Sequence, residues 1–332
     1  MAFVDTPTPA DYPAIALIAR DLLRASDPSE VFDGTDLINT IEAGHPAMVV
    51  RESRGSSEEP APVVAYAMVH DHARGRIDAK WAVRRGDEFY IAHAARCLEW
   101  IEKQARMLGE KRGEEGFVIV TEVGPGDSIR AEALADAGFT KARTWVVMDQ
   151  DIPARVQEIK DRESDASLAP RVAANVRVRT LADVEDRRAA HAALEHAFED
   201  HFNHFEESFD EWCERTDLYA HHEWDRDLLA ELVPADGSAP MVIGTLMTSW
   251  LPESKTAHVE YLGVTREGRG KGAAHALLDA FYVLAMEHGY SRGELFVDAD
   301  SPTGANLAYE KMNWRQDFLL SLIHISEPTR QE

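Results

Sequence analysis

Between residues 264 and 274 the chain reads Val264-Thr-Arg-Glu-Gly268-Arg269-Gly270-Lys271-Gly272-Ala273-Ala274, three glycines at alternate positions with two cations between them. Before it lies His258-Val-Glu-Tyr-Leu-Gly-Val264, which alternates as a strand does. After it, Ala273 to Glu287 places apolar residues at helical spacing. Glycines in such a turn let the backbone approach a ligand closely, and their amides can turn inward as an anion-binding nest. The following helix offers its positive N-terminal end and unpaired N–H groups to the same anion. With Arg269 and Lys271 beside it, the turn reads as a pyrophosphate cradle.

The spacing narrows the ligand. A nucleoside-triphosphate loop ends Gly-Lys-Ser/Thr so that a hydroxyl can hold magnesium; here Gly270-Lys271 is followed by Gly272-Ala273. A dinucleotide fingerprint wants G-x-G-x-x-G, whereas this run is G-x-G-x-G-A and sits late in the chain. Downstream come a short strand-like run, Gly293-Glu-Leu-Phe-Val-Asp298, and then Ser301-Pro-Thr-Gly-Ala-Asn-Leu-Ala-Tyr309-Glu-Lys-Met-Asn313-Trp314. Ser301-Pro302 suits a helix start, and Asn313 can take the left-handed conformation that ends one.

These two segments resemble the GNAT N-acetyltransferase family. Its acetyl-coenzyme A loop reads Gln/Arg-x-x-Gly-x-Gly/Ala; Gly270 and Gly272 fill the glycine positions, and Glu267 stands where the family usually has Gln or Arg. Its closing helix carries a tyrosine and ends in Gly-Phe. Tyr309 and Asn313-Trp314 stand there, with Pro302 where an Asn is frequent. The resemblance implies acetyl-CoA as co-substrate, held by Gly268, Arg269, Gly270, Lys271, Gly272 and Ala273. It also implies that backbone groups of Leu262, Gly263 and Val264 pair with the pantetheine arm, as an exposed strand edge pairs with a peptide. The Val264 amide would face the developing oxyanion.

The first half repeats the order of the second. Val63 to Val69 parallels Met241 to Met247, and Ile77 to Val83 parallels His258 to Val264. A helix from about Ile91 to Leu108 follows, then Phe117-Val-Ile-Val-Thr121 and a helix ending at Gly138-Phe139. This half lacks the chemistry. Gly86 is alone, Asp87-Glu88 puts negative charge where pyrophosphate would lie, and no tyrosine precedes Gly138. The expected fold is therefore α/β: two tandem GNAT-like domains, each a mixed twisted sheet flanked by helices. Residues 1–152 form the degenerate copy, 153–175 a helix-containing or loose linker, and 176–320 the catalytic domain. Tandem members of actinobacterial type, the mycothiol synthase group among them, have this arrangement with one active half. Ser53 to Pro62 reads as a polar hairpin loop. Ser321-Leu-Ile-His-Ile-Ser-Glu-Pro-Thr-Arg330 resembles translated adapter sequence, so residues 321–332 are expected to be a non-native tail.

Composition bounds the partners. A net charge of −24 over 332 residues disfavours nucleic acid and anionic membranes, and would steer cations. Acidity is also a plain solubility device. No apolar run approaches the ~20 residues that span a bilayer, and no signal peptide opens the chain. Only Cys97 and Cys213 are present, which points to a cytoplasmic protein without a structural disulfide. A monomer or a homodimer is expected.

Acetyl transfer to an amine also needs proton carriers. Strict alternation places residues 258, 260 and 262 on one face, so His258 and Glu260 become neighbours in the cleft. In the family these strand positions commonly carry the group that deprotonates the amine, directly or through water. A histidine of pKa about 6.5, or a carboxylate acting through water, would suit neutral pH. Glu260 as a mere cation-binding group is the structural alternative. Tyr309 is the candidate acid for the coenzyme thiolate, and a packing tyrosine is its alternative. His196, His201 and His204 tempt as a metal site, but no further ligand follows at a known spacing, and no metal is expected. Phe198, Phe202, Phe205 and Phe209 recur at helical intervals as core. In the family this region forms acceptor-side helices, so His201, Asn203 and Glu206 would line the substrate pocket. His221-His222-Glu223-Trp224 reads as a loop or substrate-side wall.

The resulting expectation is an acetyl-CoA-dependent N-acetyltransferase, moving an acetyl group to a small-molecule or peptide amine by direct attack in a ternary complex. Neither cysteine stands where a covalent intermediate would need it. A non-catalytic acyl-CoA-binding or scaffold protein is the alternative. A nucleotide-binding domain would need a magnesium-holding hydroxyl and a strand-borne Asp that the chain lacks.

Overall fold

The computed structural model describes residues 2–26, 34–52, 61–73, 75–113, 116–165, 167, 171–199, 206–301 and 304–328. The chain divides into two compact units. Unit 1 comprises Met1–Trp145, Asp217–Ala220 and Leu319–Glu332; unit 2 comprises Val146–Thr216 and His221–Phe318. Most of the Ser53–Pro62 loop, and His201, Asn203, His204, Phe202, Phe205 and Pro302, lie outside the described residues.

One order of elements occurs twice. It runs first through β1 (Ala2–Asp5), α1 (Tyr12–Ser26), α2 (Thr35–Glu42), β2 (Ala47–Glu52), β3 (Val63–Ala73) and β4 (Arg76–Val83). Then come α3 (Tyr90–Arg112), β5 (Gly116–Val123), α4 (Ser128–Asp136) and β6 (Thr140–Asp151). After an extra helix, α5 (Ile152–Ser164), the order returns as β7 (Val176–Thr180), α6 (Val184–Phe198), α7 (Phe209–Asp217), β8 (Leu228–Leu232), β9 (Met241–Leu251) and β10 (Thr256–Val264). It closes with α8 (Ala273–Glu287), β11 (Arg292–Asp298), α9 (Ala305–Lys311) and β12 (Arg315–Pro328). The stretch read as a linker thus opens with a helix that belongs to unit 2.

Each unit builds a mixed sheet, as the sequence pattern required. In unit 1, β1 to β4 are antiparallel neighbours, β5 joins β4 in parallel, and Ser321–Pro328 of β12 lies antiparallel to β5. In unit 2, β7 to β10 are antiparallel and β11 joins β10 in parallel. A parallel pair needs a crossover connection, and α3 and α8 supply it.

The helix α8 shows why these residues fold so. Leu277, Leu278, Phe281, Tyr282 and Ala285 recur at helical spacing and are all buried. They pack on Ile243, Leu246, Ala257 and Val259 of β9 and β10. Each such side chain contributes about 1.5–3 kcal/mol on burial. The helix stops because Gly289 takes φ 83°, the left-handed cap that glycine allows. On the opposite face of the same sheet, α6 and α7 bury Ala190, Leu194 and Trp212 against Leu229 and Met247.

Candidate active site

After β10, Arg266–Gly268 makes a single 3-10 turn before the remaining glycines. Gly268 is packed on β9: a Cβ there would lie 2.5 Å from the Ile243 carbonyl oxygen. Gly270 and Gly272 have φ of 73° and 81°, which glycine adopts without strain. A Cβ on Gly272 would lie 2.2 Å from the carbonyl oxygen of Arg171, whereas one on Gly270 would meet no described atom within 4 Å. Chain-on-chain packing therefore accounts for Gly268 and Gly272, and Gly270 opens onto free space.

The helix beyond has Gly272 as its N-cap and no side-chain cap. The amides of Ala273, Ala274 and His275 accordingly have no intrahelical carbonyl to bond. Arg269 is exposed and Lys271 partly so. Burial, and then the charge of Arg171, holds the His275 imidazole below its usual range. Glu267, where the family carries Gln or Arg, is exposed, and its own backbone amide holds its carboxyl low. An uncapped helix end, an open glycine and cations without an acid partner among the described residues fit a diphosphate.

Beside the cradle the parallel strands part. β10 pairs with β11 through Thr256–Val259 and Arg292–Leu295, and the residues from Tyr261 to Val264 pair with β9. The parting coincides with a β-bulge, since Val259 is opposite Thr248 and Tyr261 opposite Met247, leaving Glu260 as the extra residue. The bulge corrects the expected alternation. Leu262 packs with Val259 in the core beneath α8, while Tyr261 joins the cluster beneath α6. His258 and Leu262 are therefore on opposite faces. Gly263 faces α6, where a Cβ would come within 3.1 Å of Leu194 and Ala197.

His258 and Glu260 are nonetheless brought together, through a residue the sequence did not single out. Ser249 is opposite His258 in the β9–β10 pairing, and its hydroxyl donates to Glu260 Oε1 at 2.7 Å. His258 Nδ1 is 3.2 Å from Glu294 Oε1, with Glu294 opposite it on β11. Phe296, 43% exposed, meets the His258 ring edge-on at 4.7 Å. On the other side of Ser249, His222 bridges to it by backbone and its Nε2 is 2.7 Å from Asp227 Oδ2. Asp227 is fully buried and also accepts from the Thr248 amide and hydroxyl. Burial pushes the Asp227 carboxyl up, against these bonds and the imidazole that lower it. His222 is thus a buried partner of Asp227 within a polar row that crosses the sheet.

Tyr309 packs on the core under α9 and meets Trp314 edge-on at 6.0 Å. Burial raises its phenol above the usual range, and among the described residues its hydroxyl has no hydrogen-bond partner. Asn313 takes φ 68°, ending the helix as its sequence position implied. Glu206 is exposed just before α7. Nearby, Arg215 and Glu207 form a buried two-point ion pair, both contacts 2.8 Å. Neither Cys97 nor Cys213 is in a disulfide; Cys97 is buried, its thiol pushed up to about 12 by burial. Among the described residues no group of three or more His, Cys, Asp or Glu could hold a metal ion. No helix there is long and apolar enough to cross a membrane.

Residues 182–314 match the model of the acetyltransferase (GNAT) family. The match spans the cradle, the parted strands and Tyr309. Members of the GNAT family generally use acetyl-CoA as co-substrate. A mycothiol acetyltransferase of Jonesia denitrificans is 24% identical over 219 residues, 62% of this chain and 63% of that protein. The alignment thus spans less than two thirds of that relative's length. A GCN5-related N-acetyltransferase from Sphaerobacter thermophilus has the same fold, with a TM-score of 0.69 at 21% identity over 98% of this chain and 95% of that one. A tandem GNAT protein from the clavulanic acid biosynthesis pathway matches over 100% of both chains, with a TM-score of 0.61 at 16% identity. The architecture is a tandem GNAT fold.

Proposed function

We propose that the GNAT domain of unit 2 is an acetyl-CoA-dependent N-acetyltransferase acting on a primary amine. One observation carries this reading: the gap where β10 and β11 part lies on the strand that runs directly into an uncapped helix end with three cations, Arg269, Lys271 and Arg171, around it. The amides of Ala273 and Ala274 and the Gly270 turn would hold the pyrophosphate. The edge of β10 from Leu262 to Val264 would align the pantetheine arm. Bound there, acetyl-CoA would supply an acetyl thioester to an attacking amine.

The chain's own groups then move two protons. Ser249 occupies Glu260 Oε1 and leaves Oε2 directed by that bond, so Oε2 takes the proton from the amine, directly or through one water. Tyr309, kept protonated by its burial, gives its proton to the departing sulfur. A thiol of pKa about 8.5 and a phenol of about 10 or above make that transfer uphill but short. His258 lines the same face beside Glu260, and its edge contact with Phe296 forms an amine-side wall. Direct attack in a ternary complex needs no covalent acyl-enzyme, and Cys97 is buried with a raised pKa. The named relative makes a small-molecule amine the first acceptor class to screen, ahead of a peptide.

Calorimetric titration of acetyl-CoA into wild type and Gly270→Glu tests the reading. One site per chain, lost in the variant, is expected, followed by turnover in an amine screen. Binding without turnover of any amine would leave an acyl-CoA-binding scaffold. Absence of binding by the folded wild type would overturn the acetyltransferase reading.

A further inference from the structure

The segment leading into β7 is fastened to the cradle. Ala173 N donates to the Lys271 carbonyl at 3.0 Å, and Val176 N to the Ala173 carbonyl at 2.9 Å, leading into β7. Gly272 meets the carbonyl of Arg171 so closely that any side chain there would collide with it. This backbone contact sets Arg171 beside the first turn of α8, where its charge reaches His275.

The Arg171 side chain is exposed, and among the described residues it has no acid partner. Its neighbours in the same unit behave otherwise. Arg155 and Arg162 are both paired with Asp279, Arg177 with Glu231, and Arg179 with Asp186 and Glu231. In a chain with 59 acidic and 35 basic residues, an arginine held by its backbone beside an uncapped helix end, yet left without a carboxylate, is placed for an incoming anion. A guanidinium there can reach phosphate oxygens that the loop amides do not.

We propose that Arg171 is a phosphate-binding residue of the coenzyme site, supplied by the segment that leads into β7. The inference rests on the acetyl-CoA reading above. It makes that segment part of the site: its backbone locks the Gly272 turn, and its side chain adds charge at the mouth of the cradle.

The test is calorimetric titration of coenzyme A and of 3′-dephospho-coenzyme A into wild type, Arg171→Ala, Arg171→Gln and Arg171→Lys, each at low and high salt. Arg171→Ala and Arg171→Gln are expected to bind coenzyme A roughly tenfold more weakly, with a shallower salt dependence, while Arg171→Lys keeps most of the affinity. A penalty that persists with the dephospho form assigns Arg171 to the pyrophosphate. A penalty that vanishes assigns it to the 3′-phosphate. The Arg171 carbonyl remains in every variant, so the melting temperature should stay within a degree or two of wild type. Unchanged affinity and salt dependence in both neutral variants overturn the assignment of Arg171 alone. A wild type that binds neither nucleotide overturns the coenzyme reading itself.

Discussion

In unit 1, Arg130 reaches from α4 into the place where β4 and β5 part; in unit 2, the helix at the corresponding position presents Tyr309. The two partings are built alike, with parallel pairing limited to Arg76–Asp78 in one and Thr256–Val259 in the other. Arg130 is buried, donates to the carbonyls of Trp81 at 2.7 Å and Glu122 at 3.0 Å and to Thr121 Oγ1 at 3.3 Å, and lies 3.9 Å over the Trp81 ring. It therefore ties the two strands across their gap. The turns differ in the same sense. Asp87 buries its carboxylate at the start of α3, accepting from the Phe89 amide at 2.9 Å and Arg84 at 3.1 Å, with His93 at 3.2 Å. An internal anion stands where unit 2 offers bare amides. Unit 1 fills this place with paired side chains, and unit 2 leaves its helix end without a side-chain cap.

The largest effects should fall on unit 2 alone. Glu260→Gln and Tyr309→Phe are each expected to lower kcat by about 10²–10⁴-fold while leaving coenzyme affinity within about twofold, measured by steady-state kinetics beside calorimetry. Because burial raises the Tyr309 pKa above its usual value, the acid form persists as pH rises. Turnover should therefore keep its general acid up to at least pH ~10. An alkaline limb well below that, abolished in Tyr309→Phe, would contradict the raised pKa; turnover unchanged in Tyr309→Phe would break the assignment of Tyr309 as the acid.

Arg130→Ala probes the other side of the comparison. It leaves the Trp81 and Glu122 carbonyls without their donor and should cost about 3–5 kcal/mol in urea unfolding. A second coenzyme site per chain in Arg130→Ala or Asp87→Gly would show that unit 1 is blocked by these side chains rather than rebuilt. The expected stoichiometry for both is one.

The glycines give a finer contrast. Gly86 and Gly272 both have positive φ, but a Cβ on Gly86 meets nothing within 4 Å and one on Gly272 strikes the Arg171 carbonyl. Gly86→Ala should cost about 1 kcal/mol from backbone strain, and Gly272→Ala at least about twice that. Equal losses would mean that the segment around Arg171 yields freely. Smallest of all, Ser249→Ala should lower kcat roughly tenfold through a less fixed Glu260, with Ser249→Thr restoring most of it and KM little changed.

Much of this was legible because it is local. The glycine spacing, the strand before it and the helix after it lie within thirty residues, and a backbone turn writes its requirements directly into residue type. The repeated order of elements was readable for the same reason, since each element carries its own periodicity. Sequence order could also show that Asp87 replaces a neutral turn. It could not show that Asp87 buries its carboxylate against the Phe89 amide, Arg84 and His93.

The sequence by itself determined the α/β class and the repeated order of elements, and it is the source of the proposed cradle at Gly268–Gly272 and of the proposed roles of Glu260, His258 and Tyr309. Tertiary structure decided how they work. A bulge of one residue resets every face beyond it, so Glu260 is freed from the alternation that the sequence implied, and nothing in the residue types around it announces the insertion. Ser249, Asp227, Arg171 and Arg130 act through partners on other elements, such as Arg171 beside Gly272 and Arg130 beneath Trp81. Such contacts exist only once the chain has closed, because a side chain's hydrogen-bond partner is set by distance in space and not by separation along the chain.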